Sequence, residues 1–488
     1  MSFPASSPSG LPSIIQGGMG IGVSNWELAR AVSMRGQLGV VSGTALSAVL
    51  VRRLQAGDPE GHMRRALAHC PLTLSAHAIE ARYYQPDGLA PAQPYRLTPM
   101  YSLTPPDELI ALTIVANFVE VWLAKAGHKG FVGINLLEKI QLPTLASLYG
   151  AMLAGVDYVL MGAGIPRTIP GILDQLAAGV KTTLRIAVEG APTGQEHILE
   201  FNPAKFTESS VPVLRRPKFL AIVSSSALAT TLARKSNGHV DGLVVEGVSA
   251  GGHNAPPRGT PNFNNRGEPI YGPRDCADLN VIRALGLPFW LAGSYAHPDR
   301  LREALALGAT GVQIGTAFAF CAESGLRSDL KTATLSQSAA GAVELRTDPR
   351  ASPTGMPFKV IDLPGTVSVP EVYAQRQRTC DLGYLRQPYQ KLDGSLGYRC
   401  PAEPDADFVR KGGEPADAAG RKCLCNGLLS AIGLGQKLGG GNVEPAIVTA
   451  GEDVLDLRRF LPADTFSYTA ADVLNFILGH PQPNTVST

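Results

Sequence analysis

The segment spanning residues 244–259 carries the clearest chemical signal in the sequence. A run typical of a buried strand, Val244-Val245-Glu246, leads into Gly251-Gly252 and then His253. Paired glycines let the backbone approach a ligand closely, and a histidine can take or give a proton near neutral pH. The pattern indicates that His253 is a candidate catalytic base, although a structural loop histidine bonded to a carbonyl group could occupy the same place.

Two later segments place small residues where an apolar run ends. The first is Gly293-Ser294 and the second is Gln313-Ile314-Gly315-Thr316. The last loops of a β/α barrel commonly bind a phosphate through backbone N–H groups and a helix N-terminus. We therefore predict a phosphate site here, with ordinary tight turns as the alternative.

A glycine-rich loop, Gly17-Gly18-Met19-Gly20-Ile21-Gly22, follows the first apolar run. It lacks the complete G-x-G-x-x-G spacing of a dinucleotide fingerprint and the acidic residue that accompanies one. The better interpretation is that the backbone of this loop forms a flat surface, here called the glycine ledge, against which a ring system can lie.

The elements that must position these residues are short apolar runs, most of them followed by a helical stretch. The runs are continuous rather than alternating, which is typical of strands covered on both faces. Eight such strands indicate an α/β protein, a parallel (β/α)8 TIM barrel, with a doubly wound open sheet as the alternative. The predicted strands are residues 13–16, 38–43, 131–137, 156–162, 219–224, 242–247, 288–293 and 311–316.

Inserts interrupt this alternation, and a further segment follows it. Residues 57–128 include a stretch that predicts an amphipathic helix over 106–126, which could serve a dimer contact, and residues 181–216 predict an extra strand pair. We expect one barrel over residues 11–345, with inserts at about 57–128 and 181–216. Residues 346–488 would form a C-terminal lid or cap.

Composition excludes several classes of protein. Of the 488 residues, 44% are hydrophobic, and 43 basic against 41 acidic residues leave a net charge of +2. This balance leaves no excess of positive charge that would favour binding to nucleic acid, and the sequence has no polybasic patch for a membrane surface. The first residues lack the basic and apolar regions of a secretory signal, so we expect a cytoplasmic protein.

Four of the seven cysteines, Cys380, Cys400, Cys423 and Cys425, fall close together in the sequence. Four thiols can hold zinc or an iron–sulfur cluster, but no C-x2-C pair is present. We therefore predict no metal site and free thiols that are buried or line a site.

Several motifs occur in a characteristic order. They are Gly17-Gly-Met-Gly, Gly133-Ile-Asn135-Leu-Leu, Ser249-Ala-Gly-Gly-His253, Ala292-Gly-Ser294, Val312-Gln-Ile-Gly-Thr316 and Ser352-Pro-Thr-Gly-Met-Pro357. Together they resemble the nitronate monooxygenase (2-nitropropane dioxygenase-like) family of FMN-dependent barrel enzymes, which includes FMN-dependent enoyl reductases. The resemblance covers about residues 11–60 and 130–360.

The resemblance implies an FMN cofactor held at the C-terminal face of the barrel. It implies His253 as the base that removes a proton α to a nitro group, with O2 completing the oxidation. Glu246 stands where the family more commonly has Gln, Ser249 where it has Glu, and Ser294 where it has Gly. The implied cofactor-binding residues are Gly18, Met19, Asn135, Glu246, Gly251, Gly252, Gly293, Ser294, Gln313, Gly315 and Thr316.

Glu246 would place a charge near the flavin unless Arg258 or another cation meets it; it could instead be a structural carboxylate bonded to backbone donors. The departures leave the substrate open. The leading hypothesis is oxidation of alkyl nitronates by O2. The alternatives are NAD(P)H-dependent reduction of an enoyl thioester, delivered on an acyl carrier protein, or of a quinone, and a non-catalytic flavin-binding accessory barrel. The oligomeric state is open, with a homodimer considered.

Overall fold

The computed structural model describes residues 10–208, 210–439, 442–462 and 465–479. The first nine residues, on which the absence of a secretory signal was argued, lie outside that range. The strands are β1 Ile14–Gln16, β2 Gly39–Ser42, β3 Val132–Leu137, β4 Tyr158–Gly162, β5 Thr182–Ile186, β6 His197–Phe201, β7 Lys218–Val223, β8 Gly242–Glu246, β9 Gly252–His253, β10 Phe289–Ala292, β11 Gly311–Ile314, β12 Leu345–Asp348, β13 Phe358–Ile361, β14 Gln387–Gln390 and β15 Leu396–Arg399.

Helices separate most of these strands. They are α1 Trp26–Ser33, α2 Leu46–Gln55, α3 His62–Leu67, α4 Thr73–Tyr83, α5 Asp107–Lys125, α6 Thr144–Leu153, α7 Ile169–Ala177, α8 Ser226–Lys235, α9 Leu279–Arg283, α10 Pro298–Ala306, α11 Thr316–Ala319, α12 Ser328–Ala339, α13 Pro370–Gln375, α14 Asp405–Arg410, α15 Pro415–Ala418, α16 Leu424–Ala431 and α17 Ala470–Leu478. Short 3-10 helices span Pro203–Phe206, Pro273–Asp275 and Glu452–Phe460.

Eight parallel strands form a closed barrel. Their order is β1-β11-β10-β8-β7-β4-β3-β2, and Ile15 of β1 bridges to Leu38, the residue before β2. Backbone bonds on both sides of that bridge complete the ring, from Gln16 N to the Leu38 carbonyl and from Leu38 N to the Ile14 carbonyl. All eight predicted runs are barrel strands. The prediction of a (β/α)8 barrel is confirmed, and an open sheet is excluded by the closure.

Side chains that alternate along the strands fill the barrel lumen. A separate apolar cluster there includes Val40, Leu160, Leu220, Val244 and Trp290. The Trp290 indole N–H donates to the Pro12 carbonyl at 2.8 Å, which closes the bottom of the barrel. Successive residues of a strand point to opposite faces. The residue two positions further along each strand therefore also faces the lumen, nearer to its upper opening.

Helix α5 is packed inside the chain rather than at its surface. Its residues are buried around most of the helix, against α1, α2 and α6. The prediction of an amphipathic helix was therefore wrong, because neighbouring helices cover more than one of its faces. It offers little free apolar surface for the dimer contact considered above, and a homodimer stays a prediction.

The other excursion is the predicted strand pair. β5 and β6 pair antiparallel, with Leu184 opposite Leu199, so the prediction for this part of 181–216 is confirmed. The loop between them contacts the C-terminal part of the chain, because Glu189 N donates to the Pro388 carbonyl at 3.0 Å.

Some of the residues after 345 lie at the upper end of the barrel, and others pack on its outer helices. β12 and β13 form a small antiparallel sheet with β9, and α17 packs on α1 and α10. Across the described parts of the chain, the structure has no helix that combines the length and apolar character required to span a membrane.

The buried Glu120 of α5 provides a test of this packing. Its carboxylate accepts from Trp26 N at 2.8 Å and pairs with Arg53 at 2.9 Å. We expect Glu120→Gln to lower the free energy of unfolding by about 1–3 kcal/mol, because an amide cannot accept both bonds in place of the carboxylate. Glu108→Gln on the same helix, at a side chain that is 82% exposed, is the control. Equal unfolding midpoints in denaturant for the two variants would contradict the account.

Candidate active site

One large cavity opens at the carboxyl ends of the barrel strands. It encloses about 1530 Å³, with its open mouth included. Every candidate site residue predicted from the sequence lines this cavity, which brings together strand ends that lie far apart along the chain. Those lining residues are Gly18, Met19, Asn135, Glu246, Gly251, Gly252, His253, Gly293, Ser294, Gln313, Gly315 and Thr316.

The glycine loop after β1 is fixed from below by two buried side chains. Gln16 accepts from Val40 N at 3.0 Å through Oε1, and its amide donates to Ser24 Oγ at 2.9 Å. Ser24 Oγ donates to the Gly17 carbonyl at 2.8 Å and accepts from Met19 N at 2.9 Å. The ledge is therefore held rigidly before any ligand arrives. Sequence reasoning did not identify Gln16 or Ser24, because their partners are set by the barrel closure.

Gly18 lies directly against the side chain of Asn135. A Cβ added at Gly18 would be 2.3 Å from the Asn135 Cβ, far inside contact distance, whereas a Cβ at Gly17 would meet its nearest neighbours at 3.5 Å. Asn135 Nδ2 lies 3.5 Å from the Gly18 carbonyl. The loop can reach this position only with glycine at 18.

The turn after β10 adopts left-handed backbone conformations. Gly293 has φ of 104° and Ser294 has φ of 57°. Residues other than glycine rarely adopt this backbone region. The family's commoner Gly at position 294 is explained by this conformation. Ser294 instead contributes a hydroxyl, which is buried without a partner in the described part of the molecule, as is Gln313 Oε1.

Residues 447–451 form a wall of the cavity that sequence reasoning missed. The segment is joined to β13, because Ile361 N donates to the Val448 carbonyl at 3.0 Å. Gly451 N donates to Thr316 Oγ1 at 2.8 Å. No local signal in the sequence marks this segment, since it reaches the site only through long-range contacts.

His253 stands on β9 at the side of the cavity, with Phe358 of β13 as its strand partner. Its Nε2 lies 2.7 Å from Ser352 Oγ, and its ring makes a T-shaped contact with the Phe358 ring, with centroids 4.8 Å apart. Burial lowers the pKa of His253 to about 4, because desolvation disfavours the charged form. The imidazole is therefore neutral at pH 7 and bonded to a hydroxyl group, not to the carbonyl considered from the sequence.

Ser352 and Thr354 orient that imidazole. Ser352 Oγ lies 2.8 Å from Thr354 Oγ1 and accepts from Thr354 N at 3.2 Å. These contacts suit a tautomer in which His253 Nε2–H donates to Ser352, whose own proton goes to Thr354; this assignment rests on the hydrogen-bond network. It leaves the Nδ1 lone pair free to accept a proton.

Glu246 shares the lumen side of β8 with Val244, because the two lie two residues apart. Within the described residues its carboxyl group has no ion pair and no hydrogen bond. Arg258 does not meet it; the Arg258 backbone N–H donates to Asp275 instead. Among the described residues, this carboxylate meets neither the cation nor the backbone donors that were considered for it from the sequence. Burial raises the pKa of Glu246 to about 7.

The cavity suits a flat ring with a phosphate-bearing tail. The Gly17–Met19 backbone provides the close approach that a ring needs, and Gly251 could not be replaced without meeting the backbone of Ala450 at 2.5 Å. At the opposite strand ends, the unpartnered Ser294 hydroxyl can donate to a phosphate, and the unpartnered Gln313 carbonyl can accept from a hydroxyl group of the tail. These groups therefore fit FMN.

The four clustered cysteines line a separate small cavity beside the start of α16. All are free thiols. In the ranges that the structure describes, no three His, Cys, Asp or Glu side chains are arranged to hold a metal ion. α16 also supplies Leu428 and Ala431 to the wall of the large cavity.

Part of this site lies in a segment that matches a known protein family. Residues 173–356 match the Nitronate monooxygenase family. They contain His253, the turn after β10 and the end of β11, so the predicted resemblance is confirmed.

A curated protein described as nitronate monooxygenase, from Pseudomonas aeruginosa (strain PAO1), is 33% identical over 138 residues. That similarity covers 27% of this chain and 36% of the relative. The chain thus matches about a third of the length of this relative.

Two solved structures also align with the chain. FabK from Thermotoga maritima is 15% identical, with a TM-score of 0.47, over 96% of this chain and 91% of that one. Nitroalkane oxidase from Streptomyces ansochromogenes is 14% identical, with a TM-score of 0.47, over 97% of this chain and 96% of that one.

Adjacent glycines in the ledge give a matched test of the site. We expect Gly18→Ala to lower the free energy of unfolding of the ligand-free protein by about 1–3 kcal/mol, because the added methyl group overlaps Asn135. Gly17→Ala should leave it within about 0.5 kcal/mol of the wild type. Urea unfolding of the two variants checks this, and a stable Gly18→Ala protein would show that the ledge is not closely packed.

Proposed function

We propose that this protein is an FMN-dependent oxidoreductase that oxidises alkyl nitronates with O2, and that His253 is the base that forms the nitronate from a neutral nitroalkane. One observation carries the proposal. A neutral, oriented imidazole lines the same cavity as a rigid glycine ledge and a set of unpartnered polar groups. The match of residues 173–356 to the nitronate monooxygenase family supports the reaction class.

The residues that would hold FMN divide into two groups. The backbone at Gly18 and Met19, with Asn135 beside it, would support the ring, and Gly251 and Gly252 would border its other side. The phosphate would take the Ser294 hydroxyl and the backbone N–H groups at Gly293 and Gly315, with Gln313 and Thr316 next to it. When bound, FMN supplies an electron acceptor that can also react with O2.

His253 removes the proton that is α to the nitro group of a neutral nitroalkane. Its Nδ1 accepts that proton while Nε2–H stays bonded to Ser352 Oγ, so the ring does not need to rotate. Because the pKa of His253 is lowered to about 4, the base is in its competent neutral form at every pH well above 4. Leu428, Ile447 and Val448 on one wall would limit the access of water to the bound ring.

A second function is favoured by one feature of the wall. The C-terminal side of the cavity is lined by Leu428, Ile447 and Val448, which suits a longer apolar chain. NAD(P)H-dependent reduction of an enoyl thioester on an acyl carrier protein, or of a quinone, is therefore the alternative. A flavin-binding accessory barrel without turnover is the remaining alternative.

An absorbance spectrum of the purified protein tests the cofactor and separates these reactions. We expect a yellow protein with bound FMN that is bleached anaerobically by a nitronate and not by NADPH. Bleaching by NADPH would instead support the reductase, and bound FMN without turnover would support the accessory barrel. Failure to take up FMN would contradict the FMN-dependent functions.

Removal of the base is the second test. We expect His253→Ala to retain FMN and to lower kcat with a neutral nitroalkane by about 10²–10⁴, since general bases contribute that much. His239→Ala, at a histidine whose side chain is 73% exposed, is the control and should keep the wild-type rate. Wild-type kcat in His253→Ala would remove the catalytic assignment.

A further inference from the structure

Four cysteines surround one small cavity outside the candidate active site. The cavity encloses about 290 Å³, and its lining includes Cys380, Cys400, Cys423 and Cys425. All four are free thiols; Cys380 and Cys423 are partly exposed, and Cys400 and Cys425 are buried. These thiols come from three separate stretches of the C-terminal segment, and the proposed function uses none of them.

The thiols of Cys423 and Cys425 are in direct contact. Cys423 is the N-cap residue of α16, and the Cys425 thiol donates a hydrogen bond to the Cys423 sulfur. Side chains two positions apart in a regular helix do not face each other. The pair can meet because Cys423 has the extended backbone that precedes the helix, with φ of −71° and ψ of 93°. The two sulfur atoms are therefore placed where a bond between them can form.

The surroundings of Cys423 favour its thiolate form. The hydrogen bond from Cys425 is the largest of the effects that lower the pKa of Cys423, and the charge of Arg376 and the backbone N–H of Asn426 act in the same direction, against desolvation. The Arg376 side chain is only 2% exposed and pairs through Nε with Glu444 at 2.5 Å. Its Nη1 and Nη2 have no partner among the described residues, so its positive charge is not fully used by that ion pair.

The other two thiols of the cavity are held in their protonated forms. Burial raises the pKa of Cys380 to about 12, and it raises the pKa of Cys400 above its usual range as well. Because the thiolate and not the thiol is the nucleophile, Cys423 is the member of the cluster that reacts with an electrophile. Its partial exposure gives a small oxidant access to the sulfur.

We propose that Cys423 and Cys425 are a peroxide-sensitive thiol pair, in which a hydroperoxide oxidises Cys423 and Cys425 then closes a disulfide. In the first step the Cys423 sulfur attacks the terminal oxygen of the peroxide. An S–O bond forms, the O–O bond breaks, and the leaving oxygen takes a proton as an alcohol or water. In the second step the Cys425 sulfur attacks the Cys423 sulfur. The S–S bond forms, the S–O bond breaks, and the Cys425 proton leaves with the hydroxide as water. The two thiols lose two electrons, and the peroxide gains them.

Leu424, which lies between the two cysteines, connects this pair with the candidate active site. It is 2% exposed and belongs to an apolar cluster that includes Phe358 and Ile447. The Phe358 ring contacts His253, and Ile447 lines the large cavity. A disulfide fixes the backbone on both sides of Leu424, so oxidation should change the packing around His253 and lower turnover. This consequence rests on the proposed function, whereas formation of the disulfide does not.

Thiol counting after peroxide treatment tests the disulfide. The full-length protein is treated with a small molar excess of hydrogen peroxide, unfolded, and titrated with an aromatic disulfide reagent. We expect the wild type to lose two of its seven free thiols, and dithiothreitol to restore both. Peptide mapping by mass spectrometry, which needs no variant, should place the new bond between Cys423 and Cys425. A bond to Cys380 or Cys400 instead, or no loss of thiols, would overturn the inference.

Variants then locate the reactive sulfur. Cys423→Ser should keep all of its remaining thiols under the same treatment. Cys425→Ser should retain a sulfenic acid at Cys423 that dimedone labels, because the second thiol is absent. Cys276→Ser removes an exposed thiol outside the cluster; it is the matched control and should lose two thiols, as the wild type does. Equal thiol loss in Cys423→Ser and the wild type, or an equimolar amount of zinc in the purified protein, would contradict the proposal.

Turnover tests the link to the large cavity. We expect peroxide treatment to lower kcat of the FMN-loaded wild type with a neutral nitroalkane by about 10-fold, since small misplacement of a catalytic group can cost up to about 10²-fold. Dithiothreitol should reverse the loss, and Cys423→Ser should keep its kcat after peroxide. Equal kcat in the oxidised and reduced wild type would overturn the link to the cavity. Absence of turnover in the reduced protein would overturn the proposed function, while the thiol count still decides on the disulfide.

Discussion

The geometry of the site depends on the hydrogen bonds of the Gln16 side chain. It is completely buried at the seam where the barrel closes, and it bonds β2 through Val40 N while its amide holds Ser24. One side chain thus joins the last pair of strands in the ring and fixes the loop that follows β1. The position of Gly18 against Asn135, and hence the shape of the ledge, is set by the same bonds that complete the barrel.

Desolvation then determines the chemistry of the cavity. His253 and Glu246 are of opposite charge type, yet burial drives both toward their neutral forms, with pKa values near 4 and near 7. At neutral pH, a neutral imidazole and a carboxyl group that is about half protonated can therefore share one cavity, whereas a carboxyl group in free solution would be almost fully ionised. This arrangement needs no ion pair, which agrees with the absence of a cation beside Glu246 in the described chain.

Much of this architecture could be predicted from the sequence, because buried parallel strands leave a strong local signature. Each of the eight apolar runs forms a barrel strand, and the glycines and polar residues at their ends meet in one cavity. What could not be predicted depends on contacts distant in sequence. The buried faces of α5 are covered by helices that come before and after it in the sequence. Ser352 contacts His253 although the two are 99 positions apart. The wall at residues 447–451 is held in place by its bond to β13. Whether a cation meets Glu246 could not be predicted either, because Arg258 lines a small cavity together with Glu246 and only the side-chain geometry shows that the two form no ion pair.

The wall at residues 447–451 also has a consequence for the order of assembly. Gly451 bonds Thr316 across 135 positions, so the barrel strands can all be synthesised and paired long before the cavity has its last side. During translation the glycine ledge and the ends of β10 and β11 would face solvent on that side until residue 451 has left the ribosome. A ligand that requires all walls of the cavity can be enclosed only after that moment, which makes loading of the site a late event in the biogenesis of this chain.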